Sequence, residues 1–255
     1  MKALPQTILG MAALLAATPA LGSTFRVSPM ALDLTSKTTS TLLTITNDTT
    51  REIRFEVTAV KWDQDERGEL QLSPAGDAIT FFPKLLSLAG GASRTIRIGT
   101  KADAFGPTER SYRIFVEELP DNSAPPDKGT VAIRTKLGIP VFLKPAQATS
   151  TAEITGVSFE GGKLVARVKN TGTVHVIVDT VKMRATGSSG DVKLERSQNG
   201  WYVLAGGTRV FEQPIKASEC AGAQTIGVTV ELQGGTLKKD LPVPSGACSA
   251  TSASR

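Results

Sequence analysis

Apolar residues recur at every second position through most of this chain, in short runs bounded by glycine, proline and small polar residues. Because side chains alternate between the two faces of a β-strand, this period predicts strands, and the residues between the runs predict turns. Beyond the first 22 residues, no window keeps a helical period. The pattern therefore predicts an all-β fold with little helix. Clear examples of such runs are residues 41–48, 93–100, 163–170 and 225–233.

The strand runs form two series, separated by a segment that lacks the pattern. Residues 144–146 (KPA) end the first series, and the small, polar residues after them are typical of a linker. Each series has the strand number and turn spacing of an immunoglobulin-like sandwich. We therefore predict two Ig-like β-sandwich domains, residues 23–144 and 147–248, followed by a disordered tail at residues 249–255.

The first 22 residues have the features of a secretory signal peptide. Lys2 supplies a positive charge, residues 8–17 form a short apolar run, and residues 20–22 offer small side chains at a cleavage position. No later run approaches the roughly 18 apolar residues of a membrane helix. We therefore expect cleavage near Gly22 and export of a chain that does not insert into a membrane.

Charge and composition exclude several classes of function. The formal net charge is +5, with basic and acidic residues scattered along the chain and no recognisable nucleic-acid-binding motif. His175 is the only histidine and lies in an alternating run, so it cannot form a zinc site alone. HExxH, GxSxG and Walker motifs are absent from the sequence. We therefore predict a protein that is not an enzyme, with no cofactor, no metal and no nucleic-acid partner.

The two cysteines, Cys220 and Cys248, both lie near the end of the chain. An even pair in an exported protein favours one structural disulfide that closes a loop of the second domain. A pair of free reactive thiols is the alternative, but the CxxC spacing of redox sites is absent from the sequence.

The segment GTVAIRTKLGIPVFLKP, residues 129–145, is predicted to be a long strand with one strongly apolar face. It follows another strand, RSYRIFVEELP, and a polar loop, so the two strands are predicted to form a protruding hairpin. Such a hairpin favours backbone pairing with another chain. The alternative is that the apolar face only fills the core of its own domain. That face comprises Val131, Ile133, Leu137, Ile139 and Val141, while Arg134 and Lys136 lie on the other face.

Four segments carry a resemblance to a known family: YRIFVEELP at residues 112–120, IPVFLKP at 139–145, SPMALDL at 28–34 and NTGTVHV at 170–176. The chain resembles the PapD-like periplasmic chaperones that assemble pili. The resemblance implies two Ig-like domains at an angle with a cleft between them. It also implies a periplasmic function: one strand completes the fold of a pilus subunit, which is then passed to an outer-membrane usher, by the strand donation known for pilus chaperones. On this sequence the donated strand comprises Val131, Ile133, Thr135, Leu137 and Ile139, with Thr135 interrupting the apolar series.

The chain departs from the best-known branch of that family at the site that binds the subunit's terminal carboxylate. Ala31 and Pro140 stand where that branch has a cationic arginine and lysine. A buried carboxylate still requires a cation, so we expect a substitute on the nearby strands. This departure suggests a non-classical, archaic-type branch. The substitute candidates are Arg113, Arg134 and Lys136.

The resemblance also implies an interdomain brace. A glutamate and a basic residue bridge the two domains in the family, and Glu118 and Lys144 stand at the matching positions. Because lysine cannot bind a carboxylate through a planar fork as arginine does, we expect a weak brace.

Two functions therefore follow from the sequence. The first is an assembly chaperone that caps pilus subunits by strand donation. The second is a secreted Ig-like module that binds a protein or a glycan through its loops and donates no strand. The exposed hairpin would also allow the free protein to self-associate.

Overall fold

The computed structural model describes residues 25–120, 134–216 and 218–244, and these residues are almost entirely β-structure. The first ten strands form two sheets, with strand orders β1-β3-β8-β6 and β2-β10-β9-β4-β5, and β7 also pairs with β4. We call this part the N-terminal sandwich. Its strands are β1 Phe25–Ser28, β2 Leu32–Leu34, β3 Ser40–Asn47, β4 Ile53–Gln64, β5 Leu70–Pro74, β6 Thr80–Phe82, β7 Leu85–Leu88, β8 Ser93–Gly99, β9 Arg110–Glu118 and β10 Lys136–Leu143, with one 3-10 turn at Ala102–Ala104.

The last eight strands form the C-terminal sandwich, with strand orders β11-β12-β16 and β14-β13-β17-β18, and β15 also pairs with β13. The predicted all-β fold with two Ig-like sandwiches is confirmed. Its strands are β11 Ala152–Glu160, β12 Lys163–Asn170, β13 Val176–Thr186, β14 Val192–Asn199, β15 Tyr202–Val203, β16 Thr208–Pro214, β17 Thr225–Leu232 and β18 Gly235–Pro242.

Each sandwich buries its own apolar faces. The N-terminal core includes Phe25 and Phe55, whose rings meet edge to face at 4.8 Å. The C-terminal core is largely aliphatic, and Met183 and Phe211 are among its larger side chains. Both cores contain the alternate residues of their strands, as the period of two predicts. The exact domain boundaries stay a prediction.

Two buried asparagines close equivalent loops in the two sandwiches. Asn47, at the end of β3, donates through Nδ2 to the carbonyl oxygens of Arg51, Leu88 and Ala89. Asn170, at the end of β12, donates in the same way to the carbonyl oxygens of Val174 and Val203. Both side chains are 0% exposed, so these bonds replace the hydration of otherwise unpaired backbone groups.

Several predicted features fall outside the described residues: the signal peptide at 1–22, the tail at 249–255, Val131, Ile133 and Cys248. Within the described ranges, no helix is long and apolar enough to cross a membrane.

We expect Asn47→Ala to lower the free energy of unfolding by about 2–4 kcal/mol, because buried carbonyl groups would lose their donor. Urea denaturation would measure this loss. Thr46→Ala is the control, since it removes only an exposed bond to Ser93 Oγ and should change stability by less than about 0.5 kcal/mol. Equal midpoints for the two variants would contradict this account.

Candidate functional site

Strand β10 is longer than the strand that covers its outer edge. In the parallel pair with β2, only residues 141–143 of β10 have partners, opposite residues 32–34. In the antiparallel pair with β9, β10 is matched from Lys136 to Leu143. Within the described residues, positions 136–140 therefore pair on one side only, and we call their other side the open edge of β10.

The hydrogen bonds show which backbone groups the open edge presents. Glu118 N donates to Thr135 O at 3.0 Å, so residues 135, 137 and 139 bond to β9 in the alternating antiparallel pattern. The backbone groups of residues 136, 138 and 140 consequently point the other way. Pro140 has no N–H, and its carbonyl group belongs to the parallel pairing of Val141 with Leu32. The open edge therefore offers the carbonyl and N–H groups of residues 136 and 138, and the ladder with β9 loses nothing.

The odd-numbered side chains of β10 point into the N-terminal core. Ile139 is 0% exposed and belongs to that core, whereas Leu137 is half-buried against its margin and Thr135 is half-buried beyond it. Ile139 is therefore not accessible to a partner, which corrects its inclusion in the predicted donated set. The reason is that the sandwich of its own domain still covers the strand at that position. Leu137 and the residues before it remain predicted contacts.

Arg113 lies on the opposite face of the same sheet, in register with Pro140 on one side and Val60 on the other. Its guanidinium carbon lies 4.2 Å from the ring centre of Trp62 and 4.9 Å from that of Trp201. Only 7% of Arg113 is exposed, and its Nε has no hydrogen-bond partner. Burial lowers the pKa of Arg113 because loss of water disfavours the charged form, and neighbouring Tyr202 opposes this shift.

A glycine on β10 leaves the space that the Arg113 side chain occupies. A Cβ placed on Gly138 would lie 2.8 Å from Cε1 of Phe115 and 3.2 Å from Nη1 of Arg113. The guanidinium thus extends from β9 toward β10, at a position where β10 has no side chain. Pro140 is the next residue of β10 on that face. No long side chain at positions 138 or 140 therefore stands between Arg113 and the open edge.

The other two cation candidates have different surroundings. Lys136 forms an ion pair with Glu117 at 2.7 Å and lies 4.9 Å from the ring centre of Phe115. Arg134 is exposed and precedes the described part of β10. Of the three, Arg113 alone combines deep burial with an unpartnered N–H group.

The predicted brace between Glu118 and Lys144 is wrong. Glu118 lies 3.6 Å from Arg51, and Lys144 binds Asp33 at 2.6 Å. Antiparallel pairing places the start of β10 beside the end of β9, so these two residues lie at opposite ends of the pair, about 30 Å apart. The family resemblance alone did not reveal this separation.

The two sandwiches are instead joined through Glu109 and His175. Glu109 Oε1 lies 2.8 Å from His175 Nδ1 and accepts a hydrogen bond from His175 N at 3.1 Å. Glu109 N donates to Thr173 O at 2.8 Å. The His175 ring also stacks on Phe142 of β10, with ring centres 3.9 Å apart. The sequence analysis missed this pair because a lone glutamate and a lone histidine in different domains give no signal of contact.

Aromatic side chains from both sandwiches complete this junction. Trp62 and Phe142 come from the N-terminal sandwich, and Trp201 and Tyr202 come from the C-terminal sandwich. The centre of the Trp62 ring lies 5.6 Å from that of Trp201 and 5.4 Å from that of Tyr202. Burial raises the pKa of Tyr202, which stands beside Arg113. Both tryptophans of the chain therefore lie in the junction.

Cys220 is 1% exposed and disulfide-bonded. Cys248 lies outside the described residues, so the predicted pairing with it stays a prediction.

Comparison of the sequence with known families gives a match over residues 24–149 to the family described as pili and flagellar-assembly chaperone, PapD N-terminal domain. The matched range contains β9, β10, the open edge and Arg113. The chain belongs to this family, which is one of chaperones. No protein of curated function matches the sequence closely enough to count as a relative.

Solved structures with a similar fold include chaperones of fimbriae and pili. A chain of the CsuC–CsuE chaperone–tip adhesion subunit complex, from the archaic Csu pili of Acinetobacter baumannii, is 19% identical with a TM-score of 0.59, covering 84% of this chain and 98% of that one. The class 5 fimbriae chaperone CfaA is 15% identical with a TM-score of 0.55, covering 86% of this chain and 100% of its own. A chain of the SafA pilin–SafB chaperone complex from Salmonella enterica is 16% identical with a TM-score of 0.52, covering 88% and 99%. At these identities the likeness shows the fold.

We expect Glu109→Ala to loosen the junction, because His175 would lose the acceptor of both its backbone and its ring hydrogen bond. Tryptophan emission should shift to longer wavelength, since Trp62 and Trp201 would gain water. Lys144→Ala is the matched control: it breaks a partly exposed ion pair with Asp33, contributing under about 1 kcal/mol. A shift in the Lys144 variant but not in the Glu109 variant would contradict the assignment.

We expect Gly138→Ala to fold normally and to displace the Arg113 guanidinium or the Phe115 ring, because the atoms met by the new methyl group are the ends of side chains. Thermal unfolding should change little, by less than about 1 kcal/mol. A crystal structure of the variant would measure the displacement. Unchanged positions of both side chains would show that the glycine is not required there.

Proposed function

We propose that this protein is a periplasmic chaperone that binds pilus subunits by donating the N-terminal part of β10 and delivers them to an outer-membrane usher. The observation that carries the proposal is the open edge of β10. An unpaired strand edge with free N–H and C=O groups binds an extended partner by adding it to the sheet. Family membership and the chaperone–subunit complexes among the structural neighbours support the same function.

Specificity would come from the apolar residues that precede the core. Thr135 and Leu137 lie at the margin of the N-terminal sandwich. In the sequence, Val131 and Ile133 precede them in the same alternation. A partner whose sandwich lacks a strand has an apolar groove that these side chains would fill. Each large aliphatic side chain removed from water contributes about 1.5–3 kcal/mol before ordering costs.

The terminus of the subunit would be bound at Arg113. A strand lying along the open edge must stop where β2 begins, because Leu32 already occupies the position beside Val141. That stop is next to Pro140, the residue in register with Arg113. Adjacent strands lie about 4.8 Å apart, so the Arg113 side chain, reaching over Gly138, approaches the end of the added strand. A buried guanidinium without an acidic partner is suited to a terminal carboxylate.

Placement within the family follows from the same residues. Ala31 and Pro140 cannot bind a carboxylate, and Arg113 would supply the cation in their place. This substitution, together with the fold match to a complex from archaic pili, supports a non-classical, archaic-type branch. Self-association of the free protein through the open edge belongs to the same proposal.

The strand-addition mechanism predicts different effects of proline at neighbouring positions of β10. Lys136→Pro removes an N–H from the open edge and spares the bonds to β9, so it should fold and lose capture of subunits. Leu137→Pro removes an N–H from the β9 ladder and should destabilise the domain by about 3 kcal/mol or more. Lys136→Ala controls for the lost charge. The measurement is the yield of soluble complex when the protein is co-expressed with a pilus subunit from the same organism.

Side-chain complementarity is tested with Ile133→Asp combined with Leu137→Asp, which should abolish capture. Leu42→Asp is the control, because Leu42 is 57% exposed on the other sheet. If the double variant still keeps the subunit soluble, strand donation is excluded and the loop-binding module remains. Full capture by Arg113→Ala would remove Arg113 as the anchor and leave strand donation intact.

A further inference from the structure

We propose that Trp201 of the C-terminal sandwich is a positioning residue for the carboxylate anchor at Arg113. The inference rests on the proposed function, because it concerns how Arg113 is held for a subunit that binds at β10. It assigns to the second sandwich a direct part in subunit recognition.

The first step is that aromatic contacts, and not an acid, hold the guanidinium. Arg113 lies against the rings of Trp62 and Trp201, and in the part of the chain described here no carboxylate pairs with it. Contact with an aromatic ring does not consume the N–H donors of arginine. The donors therefore stay free for a carboxylate while the side chain is already ordered.

The second step is desolvation. Of the two tryptophans that contact the guanidinium, Trp62 comes from the same sandwich as Arg113, whereas Trp201 comes from the other sandwich. A hydrogen-bonded charge pair is stronger where water is excluded. Removal of Trp201 would therefore admit water to Arg113. The preference of Arg113 for a charged terminus over a neutral one would then be weaker.

The third step is that Trp201 is itself held firmly. Its carbonyl oxygen accepts a hydrogen bond from Val178 N at 3.0 Å, and Gly200 N donates to Asp179 O at 3.0 Å. A Cβ on Gly200 would lie 2.3 Å from Val178 O, so the chain approaches β13 as closely as a glycine permits. The backbone that carries the indole is thus fixed against β13.

The test measures how well the protein distinguishes a charged terminus from a neutral one. The probe is a 12-residue peptide of alternating valine and threonine with two N-terminal lysines and a fluorescein label, made as the free C-terminal acid and as the amide. Fluorescence anisotropy gives the two affinities. For the unaltered protein we expect the acid to bind at least about tenfold more tightly than the amide, as a charge-assisted hydrogen bond provides.

Three variants separate the possible roles. Trp201→Leu should lower the acid-to-amide ratio at least about threefold and leave affinity for the amide unchanged. Trp201→Phe keeps an aromatic ring and should stay within about twofold of the unaltered ratio. Arg113→Ala should bring the ratio to about one.

Two outcomes would overturn the inference and leave the anchor in place. The first is an unaltered ratio in Trp201→Leu, and the second is an equal loss of acid and amide binding, which would mark a merely structural role. A ratio of one in the unaltered protein would remove the Arg113 anchor, and the positioning role with it. Binding of the amide would still report strand addition in that case.

Discussion

The unequal length of two neighbouring strands is the constraint on which the rest of this structure depends. β2 pairs with only three residues of β10, so five further residues of β10 keep an unpaired edge. An unpaired edge is a hazard for a free protein and a binding surface for a strand-donating chaperone. In the proposed function, the stop at Leu32, the glycine and proline on β10, and the buried arginine on β9 all act on a strand bound at that edge.

The alternation of residues predicted the fold class, because a period of two is a direct consequence of strand geometry. It also predicted the apolar face of β10. It could not show where the protein's own core ends along that face, since the pattern runs unbroken from Leu137 through Val141 and only the length of β2 marks the limit. Ile139 was therefore placed with the donated residues although it lies in the core. β14 and β18 are edge strands with few apolar residues, so the period of two is weak in their sequences.

The candidate site was predictable only where it depends on local sequence. Arg113 was a candidate because it lies on the strand that precedes the predicted donated strand. Its contacts with Trp62 and Trp201 arise from the packing of two sandwiches. Single aromatic residues on separate strands give no sequence signal of such a contact. The brace was misassigned because it was carried over from the family resemblance alone. Glu109 and His175 meet across the junction, whereas Glu118 lies beside Arg51 and Lys144 binds Asp33.

Because side chains alternate between the two faces of β10, the number of residues in this strand sets both the face that each residue occupies and the distance from a bound strand to Arg113. An insertion of one residue between the open edge and Val141 would exchange the two faces of the strand, so that apolar side chains and edge-facing backbone groups would both change places. An insertion of two residues would keep the faces and move the stopping point of a bound strand by about 6.6 Å relative to Arg113. One apolar side chain of this segment can therefore replace another, but the spacing can change only together with the position of the cation.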